Sequence, residues 1–176
     1  MDIVGRHLIL VGAMGVGKTM LGSAISSALG RGFLDSDAVI IASGGEPGAA
    51  IAAREGVAAL HEVEMAVFME MVSTPAPAVI APAASVLDRP EGRALLEAQV
   101  TVWLVADEGV LEERRSHGGH RRPVAAAEAA ALRERREPWL ADVSVLRIDT
   151  GTKPIADLVT EILNRLGVER GDQPSM

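Results

Sequence analysis

Apolar residues along this chain fall into short runs, and between the runs they recur every three or four positions. The runs at 7–11 (His7-Leu8-Ile9-Leu10-Val11), 78–81 and 100–105 are nearly uninterrupted. That pattern predicts strands covered on both faces. A short strand over 32–37 holds Phe33 and Leu34 and closes in Asp35 and Asp37, and a last strand is expected over 143–148. The intervening segments predict helices from the glycine-rich loop to about residue 30, over 38–43, over 49–72 with an interruption near Gly56, and over 91–97. Further helices are expected over 108–115, 125–140 and 154–166. Gly30-Arg31-Gly32, Gly44-Gly45-Glu46-Pro47-Gly48 and the 73–77 segment supply the breaks. Strands alternating with helices imply an α/β fold, with a parallel five-stranded sheet, helices on both faces and right-handed crossovers. In such sheets ligands sit outside the carboxyl ends of the strands.

The first strand runs into Gly12-Ala13-Met14-Gly15-Val16-Gly17-Lys18-Thr19, which satisfies G-x-x-x-x-G-K-[ST] at every fixed position. Glycines let backbone N–H groups turn in around a phosphate chain, and the helix that follows adds its positive end. Gly12, Gly15, Val16, Gly17, Lys18, Thr19 and Met20 are therefore the expected nucleotide-phosphate contacts. Lys18 reaches the terminal phosphates, and the Thr19 hydroxyl is placed to ligate Mg²⁺. The motif marks a nucleotide-phosphate site. Its convergence with Asp35/Asp37, the loop after Ala81 and the basic loop at the carboxyl ends of the strands points to a P-loop kinase type of fold.

Composition narrows the picture. A chain of 176 residues, 48% apolar, is long enough for one well-buried core. With two Phe, two Trp and no Tyr, that core is aliphatic. A formal charge of −7 argues against nucleic acid as a partner. The absence of cysteine excludes disulfides and thiolate metal sites, and is consistent with a cytoplasmic location. The start of the chain shows no signal layout, and no apolar run approaches the ~20 residues that span a bilayer. The expectation is one kinase domain over 1–168 with a mobile lid at about 115–124, a flexible tail over 169–176, and a monomer.

Two further groups carry chemistry. Asp35 and Asp37, two apart, point to one face if the strand stays extended that far. In a phosphotransferase one such carboxylate serves Mg²⁺ and the other accepts the proton of an attacking hydroxyl. The competing role for Asp37 is a cap on the following helix. The lid holds Arg114, Arg115, Arg121 and Arg122 around Gly118-Gly119, flanked by His117 and His120. Arginines grip the equatorial oxygens of a transferring phosphoryl group, and the glycine pair permits closure. On the following helix, spacing puts Arg133 and Arg136 on one face, apart from Arg135.

Together these pieces resemble the shikimate kinase family, over about residues 6–166. The carrying residues are the phosphate loop, Phe33-Leu34-Asp35-Ser36-Asp37 for F-x-D-x-D, and the lid from Arg115 to Arg122-Pro123. Arg136-Glu137-Pro138-Trp139-Leu140 and Ile148-Asp149-Thr150 are similar to R-x-P-L-Y and V-D-T. The resemblance implies ATP and Mg²⁺, a small-molecule acceptor (shikimate above all), and a cytoplasmic role in aromatic amino-acid biosynthesis. It implies Thr19 and Asp35 on the metal side, with Lys18, Asp37 and Arg122 carrying catalysis. Arg115 and Pro154 would meet the adenine; Asp37, His61, Ala83 and Arg136 would meet the acceptor, with Arg136 on its carboxylate.

The departures lie on the acceptor side. The family's F-R-x-x-E appears as Leu60-His61-Glu62-Val63-Glu64, so His61 stands in place of an arginine. T-G-G-G-A-V-L appears as Ala81-Pro82-Ala83-Ala84-Ser85-Val86-Leu87, which removes glycines and a backbone donor. The glutamate after Gly56 is Val57. Two alternatives follow from these departures: a nucleotide-binding relative impaired in transfer, or a kinase of another small hydroxylated metabolite.

Overall fold

The computed structural model describes residue 3 and residues 5–116 and 126–168. The strands are β1 (Leu8–Gly12), β2 (Phe33–Asp35), β3 (Val79–Ala81), β4 (Val100–Val105) and β5 (Leu146–Asp149). They form one parallel sheet in the order β2-β3-β1-β4-β5. Leu8 of β1 is in register with Val79 of β3 on one side and Val100 of β4 on the other. Every residue of β1 and β3 is buried, as continuous apolar runs in a doubly covered sheet require.

The helices are α1 (Lys18–Leu29), α2 (Ser36–Gly44), α3 (Gly48–Glu55), α4 (Val57–Val72), α5 (Pro90–Glu97), α6 (Glu108–Ser116), α7 (Ala126–Val143) and α8 (Ile155–Leu166). Two apolar cores sit on opposite faces of the sheet. One joins Leu8, Leu10 and Leu104 to Leu21 and Ile25 of α1 and Leu158, Ile162 and Leu163 of α8. The other joins Ile9, Val11 and Ile80 to Leu60, Phe68 and Met71 of α4, Leu96 of α5 and Leu140 and Val143 of α7. Among the described residues no helix is long and apolar enough to cross a membrane.

Several boundaries differ from the sequence expectation. β2 stops at Asp35, because the Asp35 Oδ1 accepts the Asp37 N–H at 3.0 Å and caps α2. Asp37 therefore lies in the first turn of a helix, and the shared strand face expected for the two carboxylates does not exist. The capping role falls to Asp35 rather than Asp37. α7 runs through Pro138 to Val143, three residues past the expected end. Burial of Leu140 and Val143 outweighs the one N–H that proline withholds. The last strand is consequently shorter, Leu146–Asp149. A 3₁₀ turn over Ala84–Asp88, which periodicity did not indicate, carries the chain from β3 to α5.

Gly12 ends β1 at φ +145°, and a Cβ built there would lie 2.4 Å from the Leu104 carbonyl oxygen on β4. No side chain shifts to relieve a backbone contact of that kind. Gly12→Ala should destabilise the fold by about 2–4 kcal/mol, the range for backbone strain combined with overpacking. Urea unfolding followed by circular dichroism would measure it.

Candidate active site

The phosphate loop connects the carboxyl end of central β1 to α1. Gly17, at φ +98°, is the N-cap of α1, where no side chain caps the helix and no acidic residue occupies the first turn. The positive end of the helix and its first N–H groups thus face the loop. Lys18 Nζ reaches back across it, donating to the Gly12 oxygen at 2.9 Å and the Ala13 oxygen at 3.3 Å. A cavity of about 630 Å³ opens beside the loop, lined by Gly15 to Leu21 and, opposite them, by Val110, Arg114, Gly151 and Lys153. Lys153 and Ile155 on its wall bracket Pro154, the residue that precedes α8.

Thr19 Oγ1 donates to Asp35 Oδ2 at 2.7 Å, joining the start of α1 to the end of β2. The two residues expected on the metal side are therefore adjacent. Among the described residues no group of three or more His, Asp or Glu could hold a metal alone. One hydroxyl and one carboxylate suit Mg²⁺, which is bound through one or two protein oxygens and completed by phosphate and water.

The far wall of the cavity is tied to the loop by an arrangement the sequence did not reveal. The Thr150 hydroxyl, fully buried behind β5, donates to the Val16 oxygen at 2.9 Å and lies 3.2 Å from the Val105 oxygen. Arg114 of α6 closes on the same residue, with Nη2 2.9 Å from the Thr150 oxygen and Nη1 3.4 Å from its hydroxyl. Arg114 thus braces the loop through Thr150. Arg122, with Arg121, His117 and His120, lies outside the described residues, as does the side chain of Arg115.

The residues expected to meet the acceptor lie on α2 (Asp37), α4 (His61), at the start of the 3₁₀ turn (Ala83) and on α7 (Arg136). Glu64 of α4 accepts a short hydrogen bond from the Ser85 hydroxyl, and its carboxyl feels the charges of Asp37, Arg136 and Asp88. Arg136, only 12% exposed, donates from Nε to Asp88 Oδ1 at 3.0 Å and from Nη2 to Asp88 Oδ2 at 2.6 Å. Arg135 reaches the same carboxylate at 2.8 Å, while Arg133 turns away to Glu108 of α6. This corrects the helical-face expectation: long side chains from neighbouring positions converge on one carboxylate, and Arg133 does not share their destination. Burial works against the Asp88 charge, but the hydrogen bonds from Arg136 and Arg135 outweigh it and hold the carboxyl below its ordinary range. Ala83 opens the 3₁₀ turn, and His61 is half-buried on α4, one turn before Glu64.

A family model described as shikimate kinase matches residues 14–167. The chain belongs to the shikimate kinase family. It is 32% identical over 173 residues to the shikimate kinase of Symbiobacterium thermophilum, covering 95% of this chain and 99% of that one. The shikimate kinase of Caulobacter vibrioides is 34% identical over 166 residues, covering 92% and 82%. Among solved structures, a shikimate kinase from Acinetobacter baumannii in complex with shikimate superposes with a TM-score of 0.86 at 27% identity, over 93% of this chain and 94% of that one. A shikimate kinase from Aquifex aeolicus, 23% identical, shares the fold with a TM-score of 0.78. The family supplies a small-molecule kinase on a nucleotide-binding P-loop sheet, and the fold here is that sheet.

Glu64, Ser85 and Asp88, which the sequence reading did not single out, are tied by hydrogen bonds or charge to Asp37 and Arg136, Ser85 through Glu64. Only Glu64 had a signal, three positions after His61 on the same helix face. Burial raises the Glu64 carboxyl, the Ser85 hydrogen bond lowers it, and Asp37 raises it further; the net shift is upward. A carboxyl that holds its proton more tightly when folded stabilises the fold fully below its unfolded pKa. That contribution is lost as pH rises through the raised value. Glu64→Gln keeps an acceptor for Ser85 and removes the charge. The variant should therefore match wild type near pH 4 and be the more stable of the two at about pH 7. Melting temperatures across that range would show it as a difference of a few degrees.

Proposed function

We propose that this member of the family is an ATP- and Mg²⁺-dependent kinase that phosphorylates shikimate, giving ADP and shikimate 3-phosphate. The observation that carries this reading is the 2.7 Å contact between Thr19 and Asp35. It joins a phosphate loop to the strand end from which the acceptor half begins, so donor and acceptor sites share one edge. The family, and relatives that bear the shikimate kinase name at 32–35% identity, support the same acceptor.

In this reading the loop N–H groups and the α1 N-terminus hold the phosphates of ATP, with Gly12, Gly15, Val16, Gly17 and Met20 along the chain of contacts. Thr19 and Asp35 hold Mg²⁺, which supplies charge neutralisation on the phosphate oxygens. Arg115 and Pro154 flank the base. Asp37 accepts the proton as an acceptor hydroxyl oxygen bonds to the γ-phosphorus, and the bond from that phosphorus to the bridging oxygen breaks, releasing ADP. Lys18 and Arg122 meet the negative charge spread over the phosphoryl oxygens. His61, Ala83 and Arg136 position the acceptor. Arg114, through Thr150, keeps the loop backbone in place rather than touching the reacting atoms.

ADP release measured with ATP, Mg²⁺ and a panel of hydroxy acids tests the reading. Shikimate should raise turnover well above the background ATPase rate. If nucleotide binds but no hydroxy acid raises turnover, the transfer reading fails in favour of nucleotide binding alone, which the loss of glycines at 81–84 favours.

A further inference from the structure

We propose that Asp88 is a specificity-determining residue: an internal carboxylate that competes with the carboxylate of an incoming acceptor for Arg136. The proposal rests on the acceptor site proposed above and goes beyond it by naming what weakens carboxylate recognition there.

Arg136 presents a planar fork of donors, and carboxylates are gripped best when two parallel N–H···O bonds form along one edge. Here that edge is already taken. Nε and Nη2 meet the two oxygens of Asp88 at 3.0 and 2.6 Å. The pair is shielded, with Arg136 12% and Asp88 20% exposed, so water screens it less than it would a surface bridge. The neighbourhood compounds the effect. Asp88 and Asp37 both raise the Glu64 carboxyl by their charge, which places two further carboxylates within electrostatic reach of Glu64. On α4, one turn before Glu64, the position where the family pattern has a second arginine carries His61. An acceptor carboxylate entering this pocket must either displace Asp88 from the Nε/Nη2 edge or approach a guanidinium whose charge is already matched.

Asp88 reaches this place because of the 3₁₀ turn over Ala84–Asp88. The turn buries Val86 and Leu87 and delivers residue 88 to the side of α7 that carries Arg135 and Arg136. Arg135, 55% exposed, adds a second donor to Oδ1 and helps hold the carboxylate in the latched position. The consequence is a compressed preference. The wild-type site discriminates little between an acid acceptor and an uncharged acceptor of the same shape, because the cation that would reward the negative charge is already paired.

The test compares wild type with Asp88→Asn and, as a second variant of different shape, Asp88→Ser. Calorimetry in the presence of ADP would give the Kd of shikimate and of its carboxamide, with melting temperature as the check on folding. Removing the internal charge should tighten shikimate by about tenfold, the scale of one charge-assisted hydrogen bond regained. The carboxamide, which has no negative charge and only one acceptor oxygen to offer a freed guanidinium, should gain much less, about twofold or under. In turnover, the acceptor KM should fall while the KM for ATP stays constant. If shikimate binds more weakly or equally well in both folded variants, Asp88 orients Arg136 rather than competing with an acceptor, and the proposal is wrong. Equal tightening of acid and carboxamide would overturn it too, since that reports a general opening of the pocket. Should the variants gain shikimate affinity while wild type and variants alike transfer no phosphate to it, competition stands and the kinase assignment falls.

Discussion

Lys18→Ala is expected to lower kcat/KM by roughly 10³-fold or more, the scale on which a cation at the transferring phosphoryl group contributes. Lys18 spans the loop, donating to the carbonyl oxygens of Gly12 and Ala13. It therefore does two things: it closes the loop on itself, and it places an ammonium at the mouth of the cavity beside the helix N-terminus. Alanine removes both. The fold should survive, because the sheet and α1 are held by Leu10, Leu21, Ile25 and Leu104, which are all buried in one apolar core that does not include Lys18. Lys18→Arg sharpens the test. It keeps the charge, but a planar fork cannot take the two loop carbonyls as a compact ammonium does, so little activity should return. Stopped-time assays of ADP formation, with circular dichroism as the control on folding, would measure these losses. A Lys18→Ala enzyme within tenfold of wild type would remove the loop from the chemistry.

Asp37→Asn is the second large effect, with kcat expected to fall by about 10²–10³-fold, within the range for a positioned general base. Asn keeps the size of the side chain and can still accept a hydrogen bond from an acceptor hydroxyl, but it cannot take up the proton. The KM for shikimate should therefore move by less than about threefold while kcat collapses, a split that marks a group acting in the transition state. The backbone at this position is secured independently, since the Asp37 N–H is held by Asp35. The α2 cap therefore survives the substitution. Steady-state kinetics with varied acceptor would separate the two constants. A fall confined to KM would make Asp37 a binding residue only.

The sequence reading and the structure agree where the signal is local. The 100–105 strand and the start and end of α1 come from runs and glycines, and those boundaries match within a residue. They miss where a tertiary contact overrides a local rule. α7 continues through Pro138 because Leu140 and Val143 have a core to enter. β2 ends two residues early because a carboxylate finds the N–H of a helix start before it can extend the strand. On the site, the loop between β1 and α1 was legible because eight consecutive residues spell its motif, whereas the brace on it from Thr150 and Arg114 was not. The acceptor half was legible only through its resemblance to a family, and its one distinctive pairing was not legible at all.

By itself, then, the sequence determined the alternation of strands and helices, the phosphate loop with Lys18 and Thr19, and the pair of carboxylates that follows. Those are matters of backbone geometry and of spacing across a few residues, which the chain carries wherever it folds. The tertiary structure decided which distant groups meet: Thr19 with Asp35, 16 residues apart; Asp88 with Arg136, 48 apart; and Thr150 with Val16, 134 apart. Such meetings depend on the order β2-β3-β1-β4-β5 and on how a turn and a helix pack beside it. A carboxylate will pair with whichever guanidinium the packing brings within about 3 Å, and spacing along the chain carries no information about that distance.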